Sequence, residues 1–220
     1  ALLHEELVAG LDDGLATAKR IAAQERRPVV VLEHADRLND STYALRRFIE
    51  EAGELAVHCP YLWDPETAAT AVAAGAGARL RVSLGGKSSA RAGDKVFTGT
   101  GPMRQGRRID LGPSALLRVG GVTVSVISVS TSAIDLDALT QFGIDFAAQD
   151  IVLLRSKTHF RAVYEPLAAA IVIVDTPDWG PADLTRLPYR LAPSGLFPLD
   201  RAAEWRDPST DNGADRAKAG

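Results

Sequence analysis

Val29-Val30-Val31-Leu32-Glu33-His34-Ala35-Asp36-Arg37-Leu38-Asn39-Asp40-Ser41-Thr42 opens on four apolar residues and closes on three that cap helices. A short run without a polar side chain suits a strand covered on both faces, the habit of parallel sheets. After the polar stretch, Asp40 or Ser41 can cap a helix whose apolar stripe is Leu45, Phe48, Ile49 and Ala52, with Gly53 as its stop. The pattern then repeats. Residues 55–62 form the next strand-like run, and Asp64-Pro65-Glu66 opens an alanine-rich helix with Pro65 in its first turn. Strand, helix, strand, helix predicts a βαβ core and so an α/β fold.

Upstream, Leu3, Leu7, Leu11, Leu15, Ala18 and Ala22 recur at helical spacing. The chain opens in what reads as the middle of a helix, so residues 1–27 are expected to be a helical lead-in from a missing N-terminal domain. Downstream, residues 79–130 alternate apolar and polar groups between glycine pairs. They predict a mixed, partly antiparallel sheet section in the middle of the chain. A helix is expected around residues 135–142, a buried strand at 151–154, and a last strand at 170–174. The main domain is thus expected over residues 28–200, and the polar, small-residue stretch 201–220 is expected to be a disordered tail.

At 220 residues and 46% hydrophobic, the chain can bury one good core. Its net charge of −3 provides no basic field for nucleic acid. The longest apolar run, residues 168–174, falls far short of the ~20 residues a membrane span needs. A single cysteine, Cys59, makes no internal disulfide and points to a reducing, cytoplasmic setting.

Polar groups concentrate at two strand-to-helix junctions, where parallel sheets bind ligands. The first spans residues 33–42, with Asp36, Asn39 and Asp40 as candidate substrate-binding groups. The plainer alternative is that residues 40–42 only cap the helix while Glu33, Asp36 and Arg37 pair on the surface. The second is Arg155-Ser156-Lys157-Thr158-His159-Phe160-Arg161. A helix starting near Thr158 would turn Phe160, Val163 and Leu167 to the core and crowd Arg155, Lys157, His159 and Arg161 at its mouth. Pro166 would end it. Cations oppose the dipole at a helix start, which a bound carboxylate or phosphate would explain. A solvated basic patch matched by Glu165 is the alternative. His58 beside Cys59 suits a buried hydrogen-bonded role. His4, His34, His58 and His159 show no metal-ligand spacing, so the chain alone is expected to hold no catalytic zinc. Gly85-Gly86-Lys87 lacks the phosphate-loop frame and reads as a turn.

A series of motifs resembles the C-terminal domain of the MlrC-like (microcystinase C) metallopeptidase family. It runs from Asp64-Pro65-Glu66 and Gly75-Ala76-Gly77 through Leu84-Gly85-Gly86-Lys87, Gly101-Pro102-Met103 and Asp110-Leu111-Gly112-Pro113. Gly143-Ile144-Asp145, His159-Phe160-Arg161 and Val174-Asp175-Thr176-Pro177 follow, and Leu187-Pro188-Tyr189-Arg190 and Phe197-Pro198-Leu199-Asp200 close it. The resemblance implies a zinc-dependent hydrolase of amide bonds, with zinc held by the missing N-terminal domain. This domain would pack on that one and line a cleft for a peptide or small amide substrate, with homo-oligomerisation also open to it. His159 and Arg161 are then the expected catalytic residues, and Asp36, Asn39, Asp40, Arg155 and Lys157 the substrate-binding ones. Two departures stand out. Residues 36–42 replace the family's glycine-rich Asp-Asn-Pro-Gly-Gly-Gly loop, and Arg155 stands where a lysine usually precedes the serine. A non-catalytic domain-interface or ligand-binding module is the competing expectation.

Overall fold

The computed structural model describes residues 8–25, 28–36, 38–87, 109–156, 158–193 and 195–203. The described residues fall into two compact units, a main one up to residue 182 and a smaller one from residue 183. In the second, Asp183 caps the 3-10 turn Leu184–Arg186, accepting hydrogen bonds from the Thr185 amide and hydroxyl.

The main unit is built on one seven-stranded sheet. In chain order its elements are β1 (Ala9–Gly10), α1 (Leu11–Ala22), β2 (Val29–Glu33), α2 (Tyr43–Glu51), β3 (Val57–Trp63) and α3 (Pro65–Ala74). Then come β4 (Ser114–Val119), β5 (Val122–Ile127), α4 (Asp137–Thr140), β6 (Ile151–Leu154), α5 (Arg161–Tyr164) and β7 (Ala170–Asp175). The strands lie in the order β1-β7-β2-β6-β3-β5-β4. Only β4 runs antiparallel, against β5. The α/β expectation and the mixed sheet therefore hold, with the antiparallel part confined, among the described residues, to one hairpin.

Strand periodicity sorts the core into two layers. Val29 and Val31 of β2, Ile151 and Leu153 of β6, and Val57 and Cys59 of β3 pack with Leu15, Leu45, Phe48 and Ala68 of α1, α2 and α3. Val30 and Leu32, with Val152 and Leu154, face Leu139, Phe146, Phe160 and Tyr164 on the opposite side. In β3 the register slips between Cys59 and Leu62. Tyr61, at φ +58°, therefore joins the second layer, while Leu62 returns to the first.

Several sequence expectations need correction. The first helix begins at Leu11, because Ala9–Gly10 adds an edge strand to β7 instead. Its Leu15, Ala18 and Ala22 belong to the main core. The earlier part of that expected helix, residues 1–7, lies outside the described residues, as do residues 88–108 of the middle section and 204–220 of the expected tail. Residues 79–84 form no strand, although their alternation half-buries Val82 and Leu84. Ser83 instead gives its carbonyl to the Thr67 hydroxyl at the start of α3. The helix expected at 135–142 is the single turn Asp137–Thr140.

Gly14 shows how closely α1 packs. A Cβ built there would lie 2.3 Å from Val174 Cγ1. Alanine in a helix normally gains up to about 1 kcal/mol over glycine, but overpacking costs about 1–3 kcal/mol. Gly14→Ala should therefore destabilise the domain in urea titration, and adding Val174→Ala should recover part of the loss. A more stable single variant would contradict this packing.

Candidate functional site

The two junctions meet at one edge of the sheet, and alternation explains why. Glu33 shares the parity of Val29 and Val31, and Arg155 that of Ile151 and Leu153. Strands β2 and β6 are parallel neighbours with Leu32 opposite Leu154, so Glu33 and Arg155 follow side by side beneath α2. The Arg155 side chain is only 1% exposed. Its Nε lies 2.8 Å from Asp36 Oδ2 and 3.9 Å from Glu33 Oε2. Its Nη1 donates to Cys59 Sγ at 2.8 Å and its Nη2 to the Ser41 carbonyl at 2.9 Å. Arg155 thus points into the protein, not to the mouth of a helix, because two buried carboxylates neutralise it there.

Asp36 organises the turn that follows. Its Oδ1 accepts the amides of Leu38 (2.9 Å) and Asn39 (2.8 Å), and its Oδ2 that of Ser41 (3.1 Å). Asn39 sits at φ +59°, where asparagine is among the few tolerated side chains, and its amide donates to the Thr131 carbonyl. Ser41 turns its hydroxyl inward to Glu33. The expected cap at Asp40 or Ser41 is therefore not made; Thr42 holds the N-cap position, with no side-chain cap bond. Glu33 and Asp36, surface partners of Arg37 on the plainer alternative, are buried.

Asp40 is 6% exposed. It lines a cleft of about 690 Å³ with Tyr43, Arg46, Glu50, Gly86 and Asp178. Its carbonyl takes the Gly86 amide at 2.6 Å. Gly85 and Gly86 both lie at φ +62°. A Cβ on Gly85 would come within 2.9 Å of the Asp40 carbonyl oxygen, so this turn needs glycine. Asp64 caps α3 through the Thr67 amide and also holds the Gly85 amide and the Lys87 ammonium. Burial alone would raise the Asp64 carboxyl, but these bonds from Thr67, Gly85 and Lys87 outweigh it and hold the carboxyl below its ordinary value.

On the second layer's side, Phe160 is buried as expected, while Leu167 is 40% exposed, against expectation. The helix starts only at Arg161 and ends at Tyr164, ahead of Pro166. His159 is exposed. Arg161 is half-exposed, 3.6 Å from Glu165 and with its guanidinium 5.5 Å from the Phe160 ring centre. Lys157 lies outside the described residues. Of the sequence candidates, then, Asp36, Asn39 and Arg155 form one buried cluster, Asp40 borders the cleft, and His159 and Arg161 stand outward. The sequence reading missed Asp178 and the inward partners Glu33, Ser41 and Cys59. Equal parity at the ends of two similar apolar runs was the signal for Glu33 with Arg155.

Among the described residues no three His, Cys, Asp or Glu side chains are grouped to hold a metal ion. Glu33, Asp36 and Cys59 all face a guanidinium, which takes the place a cation would need. No described helix is long and apolar enough to cross a membrane.

Two buried groups give pH tests of opposite sign. His58 lies between the Thr123 hydroxyl (2.9 Å from Nδ1) and that of Ser125 (3.3 Å from Nε2), the buried role expected for it. Burial pushes it from 6.5 down to about 4. Its contribution is whole above pH 6.5 and is lost as pH falls toward 4, about 3 kcal/mol in all. Denaturant titrations from pH 7 to 4 should show this acid slope, and His58→Gln should flatten it. Glu33 is raised above 4.5 by burial first and Asp36 second, against the pull of Arg155, Ser41 and Thr176. Relative to the unfolded chain, folding disfavours its charged form, so stability falls as pH rises through the shifted value. Glu33→Gln should gain on the parent protein as pH increases from 4.5; a difference independent of pH would refute the assignment.

Residues 38–191 match the family described as MlrC C-terminus. A solved structure, the "Putative metallopeptidase" from Mesorhizobium sp. BNC1, superposes with a TM-score of 0.71 at 25% identity, covering 90% of this chain and 42% of that one. This chain thus spans less than half the length of that protein. No curated protein matches it. With the family match extending over most of its length, the chain belongs to the MlrC C-terminus family.

Proposed function

We propose that this chain is the C-terminal domain of an MlrC-like zinc-dependent amide hydrolase. On this view it packs on a metal-binding N-terminal domain and forms one wall of the cleft for a peptide or small amide. The observation that carries it is the likeness to the Mesorhizobium protein, which bears a metallopeptidase's name and extends well beyond the part this chain matches. On this reading zinc is held by the other domain; among the described residues no group of His, Cys, Asp or Glu side chains fits it. Zinc there would activate water and polarise the amide carbonyl.

The work left to this chain is binding and orientation. The half-exposed Arg161 can take a carboxylate or a carbonyl oxygen with two N–H groups. His159, two residues earlier and exposed, can donate or accept one hydrogen bond. Asp40 offers a carboxylate at the border of the neighbouring cleft. Asp36, Asn39 and Arg155 contribute from beneath, by holding the loop that carries Asp40. A cytoplasmic setting fits the single buried thiol.

A second reading, a non-catalytic fastener between domains, is favoured by one contact: Arg161 already has an anionic partner in Glu165. One variant separates the two. If Arg161 anchors substrate, Arg161→Ala in the intact protein should leave folding unchanged and lower kcat/KM toward linear peptides about 10- to 150-fold, the loss of one charge-assisted bond. If it fastens domains, the melting temperature and domain association should fall, and activity only in proportion to folded protein.

A further inference from the structure

We infer that Arg155 is a positioning residue whose buried guanidinium ties residues 33–41 to the segment carrying His159 and Arg161, so that the two loops keep or lose their arrangement together. That these loops face a substrate rests on the proposed function; their coupling does not.

The contacts divide by direction. One edge of the guanidinium meets Asp36, where the turn begins, and Nη2 holds the Ser41 carbonyl, where it ends. Asp36 in turn holds the amides of Leu38, Asn39 and Ser41. Drawing Asp36 out of place would therefore release three backbone bonds at once. On its own side, Arg155 leaves β6 directly and stands four residues before His159. With a side chain 1% exposed, it cannot itself meet a ligand.

Charge neutralisation alone does not account for this arrangement. A buried ion pair is seldom more stabilising than apolar residues of the same volume, and here Glu33 Oε2 and Arg155 Nε are both left without a hydrogen bond, the 2.8 Å contact of Nε with Asp36 being an ion pair. What a planar fork adds is reach: from one fixed plane it donates to the Ser41 carbonyl and the Cys59 sulfur while its Nε stays in ion-pair contact with Asp36. A lysine ammonium carries the same charge on a single nitrogen and cannot span the three.

The chain contains its own reporter. Cys59 is its one cysteine, fully buried and in contact with Arg155 Nη1. Its reaction with 5,5′-dithiobis(2-nitrobenzoic acid) measures how often the cluster opens, and amide exchange at Leu38, Asn39, Ser41 and Arg161 measures the two loops separately. In the 220-residue chain, Arg155→Lys should keep the melting temperature within about 5 °C while labelling of Cys59 and exchange at all four amides accelerate about tenfold or more. Lysine that restores protection fully would overturn the inference, since charge would then suffice. Acceleration that only tracks global unfolding, with the same dependence on denaturant, would overturn it too. Asp36→Asn supplies a second test should the lysine variant not fold. It alters only the first loop, so faster exchange at the Arg161 amide supports the coupling and parental exchange there refutes it. None of these measurements needs a substrate, so absence of peptidase activity would leave their outcome intact.

Discussion

The charged guanidinium of Arg155, buried at the ends of β2 and β6, is the constraint on which the rest of this sheet edge depends. Removing such a cation from water costs several kcal/mol, recovered only when anions and acceptors are placed around it. Glu33 and Asp36 supply the anions, while the Ser41 carbonyl and the Cys59 sulfur accept two of its N–H groups. Loss of Asp36 would strand the charge, and loss of either acceptor would leave a buried N–H without a partner. The cluster is therefore less an addition to the fold than a condition on how residues 33–41 are arranged.

That condition spreads outward by hydrogen bonds more than by apolar packing. Asp36 bends the chain into a turn that sets Asn39 in the left-handed region, and the Asn39 carbonyl then receives the Trp63 amide at 2.6 Å. The Asp40 carbonyl receives Gly86, and the neighbouring Gly85 is held by Asp64, which also binds Lys87. Three segments distant in sequence are thereby joined at one edge. A turn organised by a carboxylate and an asparagine does here what a glycine-rich loop can do by conformational freedom alone, at less entropic cost.

The sequence made the frame legible where burial was extreme. Val29–Glu33 and Ile151–Leu154 announce themselves because strands covered on both faces tolerate almost no polar residue, while the apolar run of Ala170–Asp175 stands out although most of it is only partly buried. Pro65 after Asp64 marked α3 for local steric reasons. Ala9–Gly10 was not legible: two residues have no period, and their pairing with β7 depends on a strand more than 160 residues away. The inward turn of Arg155 was hidden for a related reason. A basic residue after a strand is by default taken as solvated, and the adjacency that brings it to Glu33 arises only because β6 inserts between β2 and β3.

The same insertion decides where a ligand can go. Strands β2 and β3 send their chains to the layer containing α2 and α3, while β5 and β6 send theirs to the layer containing α4 and α5. Neighbouring strands thus diverge at their C-terminal ends, which in open α/β sheets opens the crevice that receives ligands. Here Arg155, Glu33 and Asp36 fill it between β2 and β6 with groups that satisfy one another. On the proposed function, a ligand at this edge would lie beyond these buried groups and meet what is exposed, the cleft bordered by Asp40 and the outward His159 and Arg161. Specificity would then come from rim residues rather than from the crevice floor. The floor would act on the rim only through the backbone it holds in place.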